Sequence, residues 1–157
     1  MPCFGDDRTL SDIRTTFHYI FARGTTVGGG VPDVRLFPIG GVFQLGAEEI
    51  IPVPLFHGPR PILGFRIGTF AYLTDCNRIP DASFALLDGV ETLVLDALRH
   101  RPHPTHFSVS EALEVIARLR PSRALLTHIC HDLPHARTCA DLPAPVELAY
   151  DGLVLDA

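Results

Sequence analysis

No basic stripe runs through this chain. Arg99, Arg101, Arg118, Arg120 and Arg123 are scattered and the formal net charge is −5, so nucleic acid is not an expected partner. No apolar run approaches the roughly 20 residues of a membrane span, so no membrane contact is expected. The opening PCFGDDRTL after Met1 has neither the basic segment nor the apolar segment of an export signal. The four cysteines, Cys3, Cys76, Cys130 and Cys139, form no C-x-x-C pair. Together these absences predict a cytoplasmic protein with reduced thiols. Charge is also scarce. Charged residues make up 20% of the chain against 46% hydrophobic, which predicts apolar surface covered by a partner or by further sequence.

The 157 residues fit one domain, with no internal repeat. Residues 6–20 carry Leu10, Ile13 and Phe17 at helical spacing, with Asp6 or Asp7 to cap the start. Residues 23–33, rich in glycine, predict a flexible loop. Its GGG lacks the lysine and the strand–loop–helix setting of a phosphate loop. From Val34 to Asp75, short β-branched and aromatic runs punctuated by glycine predict a β-meander. The texture then changes to α/β. A short helix is expected over 82–87, a buried strand over 92–97 and an amphipathic helix over 108–119 with Ser108 and Glu111 as its capping box. A strand over 124–127, a helix over 132–138 and a closing hairpin of 146–149 with 153–156 follow, the last turning at Asp151-Gly152.

Polar residues punctuate the ends of the apolar runs. His57 closes PVPLFH, Asp75 closes FAYLTD, Asp96 closes TLVLD and His128 closes ALLTH. Strand ends hold side chains rigidly while leaving their tips open to a cleft. Two histidines and two aspartates so placed, with His103 and His106 as satellites, suggest a metal-dependent hydrolase. Read singly, each has a plainer explanation. His57 would be satisfied by a turn carbonyl, Asp75 would form a turn with Thr74 and Asn77, and His106 would be a solvated loop histidine.

In order and spacing, the words PLFHG, GFRIGTFAYLTDC, LVLDALRHRPHPTHFS, LLTHICHD and AYDGL resemble the metallo-β-lactamase-fold hydrolases. Within these they are most similar to the branch containing the phosphoribosyl cyclic-phosphate phosphodiesterase of phosphonate breakdown, with tRNase Z-type enzymes as further relatives. The resemblance implies an α/β (α+β) fold, an αββα sandwich of which this chain supplies mainly the C-terminal half, over one partial domain of residues 1–157. It implies two divalent metal ions, Zn²⁺ or Mn²⁺. His57, Asp75 and His128 would be their ligands, and Asp75 would bridge them. His106 would protonate the leaving group, with Asp75 beside it in the catalytic machinery. His103, His131 and Asp96 would support the ligands or meet substrate, a small-molecule phosphate ester, cyclic or open.

The family's H-x-H-x-D-H motif has no counterpart here. The eight histidines are at 18, 57, 100, 103, 106, 128, 131 and 135, and none falls in that pattern. With at most two protein ligands left per ion, weak metal binding and little activity are expected of this polypeptide alone. The alternative expectation is a catalytically inactive remnant or half-domain serving as a binding module. A complementing N-terminal half or a homo-oligomer is the expected partner. If the reading holds, the tips of His57, Asp75 and His128 lie within roughly 7 Å of a common point.

Overall fold

The structure is a computed structural model that describes residues 1–22 and 30–155. Most of the glycine-rich loop expected over 23–33 lies outside those residues, as does Asp156.

The chain divides into two compact units, Met1–Phe43 and Gln44–Ala157. The first holds β1 (Pro2–Gly5), α1 (Asp7–Thr16), α2 (His18–Phe21) and β2 (Arg35–Pro38). Asp6 caps α1 by accepting from the Thr9 amide at 3.0 Å. The helix expected over 6–20 is broken at Phe17, whose φ of −109° and ψ of 37° leave the helical region. Arg35–Pro38, expected to open the meander, instead pairs in parallel with β1. Stacking of Phe4 on Phe37, 5.3 Å apart, joins the two strands.

The second unit is built on a seven-stranded sheet in the order β3-β4-β5-β6-β7-β8-β9. Its strands are β3 (Phe43–Leu45), β4 (Glu48–His57), β5 (Arg60–Ile67), β6 (Phe70–Leu73), β7 (Thr92–Asp96), β8 (Arg123–Thr127) and β9 (Val146–Leu148). β4, β5 and β6 are antiparallel neighbours, whereas β6 to β9 pair in parallel. Each parallel step needs a crossover. The first is α3 (Asp81–Phe84) with a 3-10 turn at Ala85–Leu87, the second α4 (Val109–Leu119), the third α5 (His135–Asp141). The capping box of Ser108 and Glu111 starts α4 as expected. α5 starts later than expected, because Pro134 occupies its N-cap. The closing hairpin does not form among the described residues. β9 pairs with β8, and only a turn, Leu153 N donating to Tyr150 O, follows it.

Alternate residues of the sheet build the core. Val53 and Leu55, Ala71 and Leu73, Leu93 and Leu95, Ala124 and Leu126, and Val146 and Leu148 are all buried, packed in one cluster with Ala112 and Ile116 of α4. The opposite face carries a registered row of Phe65, Tyr72, Val94 and Leu125. Val94 and Leu125 are buried there, whereas Tyr72 is 43% exposed.

Gly64 is the tightest point of the core. A Cβ at this position would lie 2.6 Å from Leu73 Cδ2 and 2.8 Å from Leu55 Cδ1. β5 has no room for a side chain between these two leucines. Gly64→Ala is expected to cost about 1–3 kcal/mol by overpacking. Urea unfolding checks this, and an unchanged midpoint would contradict the packing described.

Candidate metal centre

Strand direction gathers the polar residues. β4 and β6 both run antiparallel to β5, so they point the same way, and β7 and β8 run parallel to β6. The C-terminal ends of these four strands therefore open on one edge of the sheet. His57 is the last residue of β4, Asp75 lies two beyond β6, Asp96 ends β7 and His128 follows β8.

Two of these residues leave their strands in a conformation that L-residues seldom adopt. Asp75 has φ 59° and His128 φ 60°. Left-handed backbone costs a non-glycine residue roughly 1–2 kcal/mol, and such strain concentrates at functional sites. The third turn at this edge uses Gly58, φ 58°, at the first position of the two-residue Gly58-Pro59 loop joining β4 to β5. Gly58 also lacks room for a side chain, since a Cβ would meet Thr105 Cγ2 at 3.0 Å.

The result is three imidazoles around one carboxylate oxygen. Asp75 Oδ1 lies 3.5 Å from His57 Nε2, 3.5 Å from His106 Nδ1 and 3.4 Å from His128 Nε2. The His106 ring packs against His57, His103 and His128 at centroid distances of 5.0, 4.8 and 4.6 Å. Separations of 3.4–3.5 Å exceed those of good hydrogen bonds. They match the edge of a tetrahedral coordination shell, about 3.3–3.4 Å when ligand bonds are about 2.0–2.1 Å. The donor set, imidazole nitrogens with a shared carboxylate oxygen, suits a borderline cation such as Zn²⁺. The residues present thus fit a divalent metal at Asp75, and two donor clusters can be drawn there: His57, Asp75 and His106, and Asp96, His106 and His128.

Behind the histidines lies Asp96, fully buried. Its Oδ2 accepts from the Cys76 amide at 3.1 Å and from the Phe107 amide at 3.4 Å, and lies 3.2 Å from His106 Nδ1. Its Oδ1 meets no donor among the described residues. Burial pushes the Asp96 carboxyl up to about 7, against the pull of His128 and the two amides. Burial and the charge of His128 hold His106 below its ordinary value.

Asn77 ties the loops together. Its Oδ1 accepts from the Gly58 amide at 2.8 Å, and its Nδ2 donates to Pro104 O at 3.0 Å. One side chain so links the loops that carry His57, Asp75 and His106. On sequence alone Asn77 reads only as a turn former, because its partners lie 19 and 27 residues away. The remaining sequence candidates are spread around the centre. His103 stacks on His106 and its Nδ1 accepts from the Thr105 amide at 3.3 Å. The His131 side chain is 95% exposed and lies 3.4 Å from Asp132. Arg99 donates to Arg101 O and Pro102 O, and Arg101 pairs with Asp132.

A family model described as Beta-lactamase superfamily domain matches residues 1–129. An octanoyltransferase of Porphyromonas gingivalis (strain ATCC BAA-308 / W83) is 30% identical over 157 residues, 98% of this chain and 32% of that protein. The chain therefore spans about a third of that curated relative. Among solved structures, a diphosphatase from the PhnP family is 39% identical with a TM-score of 0.89, covering 99% of this chain and 58% of that one. Human tRNase Z, short form, is 16% identical with a TM-score of 0.64, covering 99% of this chain and 67% of that one. Zn²⁺-bound PqqB from Methylobacterium extorquens is also 16% identical, with a TM-score of 0.67, covering 100% and 62%. The last two show the fold alone.

The Asp96 carboxyl has a testable sign. Its folded value, about 7, lies above its ordinary 3.8. Between these values the unfolded chain has released a proton that the folded chain keeps, so this group's contribution to stability is lost as pH rises from 3.8 to about 7. In the presence of a chelator, wild type is expected to lose stability relative to Asp96→Asn across that window. Denaturant titrations at several pH values check this, and parallel curves would contradict it.

Proposed function

The chain belongs to the beta-lactamase superfamily, and from that premise we propose that it serves hydrolysis of a small phosphate ester at a divalent metal centre. The observation that carries this reading is the convergence of His57, His106 and His128 on Asp75 Oδ1 at 3.4–3.5 Å. His57, Asp75 and His128 would hold the cation, Zn²⁺ or Mn²⁺. A cation held there supplies a Lewis acid for a phosphoryl oxygen and lowers the pKa of water toward about 7.

The chain's own residues then divide the work. His106 Nδ1 is engaged by Asp96 and Asp75, which leaves Nε2 to hand a proton to the departing oxygen. Asp96 keeps the ring oriented and sets which nitrogen holds the proton. Asp75 is positioned to take the proton from the attacking water. His103 shields the His106 ring. The 39% identity to a diphosphatase favours a second reading of the scissile bond, P–O–P rather than P–O–C.

Bis(p-nitrophenyl) phosphate assayed with added Zn²⁺ or Mn²⁺ tests the reading. Slow hydrolysis is expected, abolished by chelation and reduced about 10²–10⁴-fold in kcat by His106→Ala. Equal rates for wild type and His106→Ala, or none from a metal-loaded wild type, would replace the hydrolase with the binding-module alternative. Asn77→Ala is expected to weaken Co²⁺ or Zn²⁺ binding about 10–100-fold while leaving the circular dichroism spectrum unchanged. Titration followed by visible absorption measures the first, and undiminished affinity would remove Asn77 from the support of the centre.

A further inference from the structure

β9 ends the seven-stranded sheet: β8 lies on one side, and no strand lies on the other among the described residues. An edge strand presents bare N–H and C=O groups, and these invite pairing with another chain. The bonds to β8 tell which groups those are. Ala124 N donates to Pro145 O at 3.1 Å, and Ala149 N donates to Leu126 O at 2.8 Å. Along a strand of a parallel ladder, successive residues turn their main-chain groups to opposite neighbours. Pro145, Glu147 and Ala149 therefore face β8, and Val146 and Leu148 face outward. Val146 N turns back to Pro143 O at 2.8 Å. Leu148, its side chain buried, is left with both main-chain groups directed away from the sheet.

Both groups are met by side chains of α5. Leu148 N donates to Cys139 Sγ at 3.4 Å, and His135 Nε2 lies 3.2 Å from Leu148 O. A carbonyl can only accept, so Nε2 holds a proton in this contact. The other ring nitrogen, Nδ1, lies 3.8 Å from the same sulfur. His135 and Cys139 stand four residues apart in α5, which places them on one face of the helix. That face offers one acceptor and one donor to a single residue. An antiparallel strand meets the residue directly opposite it with the same pair of bonds.

We propose that His135 and Cys139 form a clasp that takes the place of a neighbouring strand at Leu148, and that opening it turns β9 into a pairing edge for a second copy of this chain. The choice of a second copy comes from the edge itself. One donor and one acceptor on a single residue are self-complementary, so Leu148 of two copies can exchange both bonds across a twofold axis. Antiparallel pairing centred there sets Glu147 opposite Ala149 of the second copy and not opposite its own twin, so like charges do not meet. Glu147 is also paired with Arg123, 3.5 Å away.

Amide hydrogen exchange followed by NMR on the full chain tests the clasp, with Leu95, in the middle of the sheet, as the reference for global opening. In wild type the Leu148 amide is expected to be protected although it faces away from β8. In the double variant His135→Ala, Cys139→Ala at low protein concentration, it is expected to exchange about tenfold faster, the scale of one lost hydrogen bond, with Leu95 unchanged. Raising the concentration of that variant is expected to restore protection at Leu148 as dimers appear in sedimentation. His135→Gln, whose side-chain amide can donate to the same carbonyl, is expected to follow wild type where His135→Ala does not. If the double variant does not fold, the two single alanine variants take its place. Equal Leu148 exchange in wild type and the alanine variants would overturn the clasp. Fast exchange at Leu148 that persists where the variant associates, or no association at any concentration, would overturn the pairing edge.

Discussion

One buried carboxylate oxygen holds the edge of this sheet in order. Asp96 Oδ2 accepts from the amide after Asp75 and from the amide after His106, and it touches the His106 ring itself. Two segments, the turn after β6 and the long loop after β7, are thereby fixed to the end of β7. Bringing a carboxyl into full burial is costly unless donors meet it, and here two backbone amides donate to it while an imidazole nitrogen lies 3.2 Å away. Further backbone bonds continue the lacing. Phe107 N donates to Cys76 O, Cys130 N to Leu98 O, and Ala97 N to Thr127 O. The left-handed turns at Asp75 and His128 persist because this network over-determines them.

Much of this edge was legible in the sequence, for a simple reason. Residues 92–96 and 123–127 are short apolar runs buried in the middle of a parallel sheet, and such runs end abruptly in the polar residue that faces the rim. His57, Asp75, Asp96 and His128 could therefore be picked out before their meeting could be known. What brings them together is direction. The two hairpin reversals at Gly58 and Gly68 return β6 to the sense of β4, and that follows from glycine positions readable in the chain.

Long-range pairing was not legible. β1 and β2 pair across some 30 residues without a local signal, so Arg35–Pro38 was assigned to the wrong sheet. The Asp151-Gly152 dipeptide has the chemistry of a tight turn and does form one. Among the described residues no second strand follows it, since a turn residue specifies only a reversal, not a partner. The break at Phe17 likewise escaped a periodicity that runs on through it. The support given by Asn77 depends on distant backbone groups and leaves no mark on spacing.

Asp75 stands two strands from His57, across β5, and two from His128, across β7. At about 4.7–4.9 Å per strand, each gap is roughly 9–10 Å at the backbone. A short arm in the middle and a long arm on either flank is the division of reach that closes such a span. Side-chain length at this rim is thus a matter of carpentry as much as of chemistry. Aspartate at position 57 or 128 would keep an oxygen donor and still fall short, and glutamate at 75 would crowd the midpoint. The ruler is the hydrogen-bond spacing of the sheet, which no mutation of the rim can alter. Loops above this edge are free to diverge toward new substrates, while the order of long, short and long is fixed by the architecture beneath them.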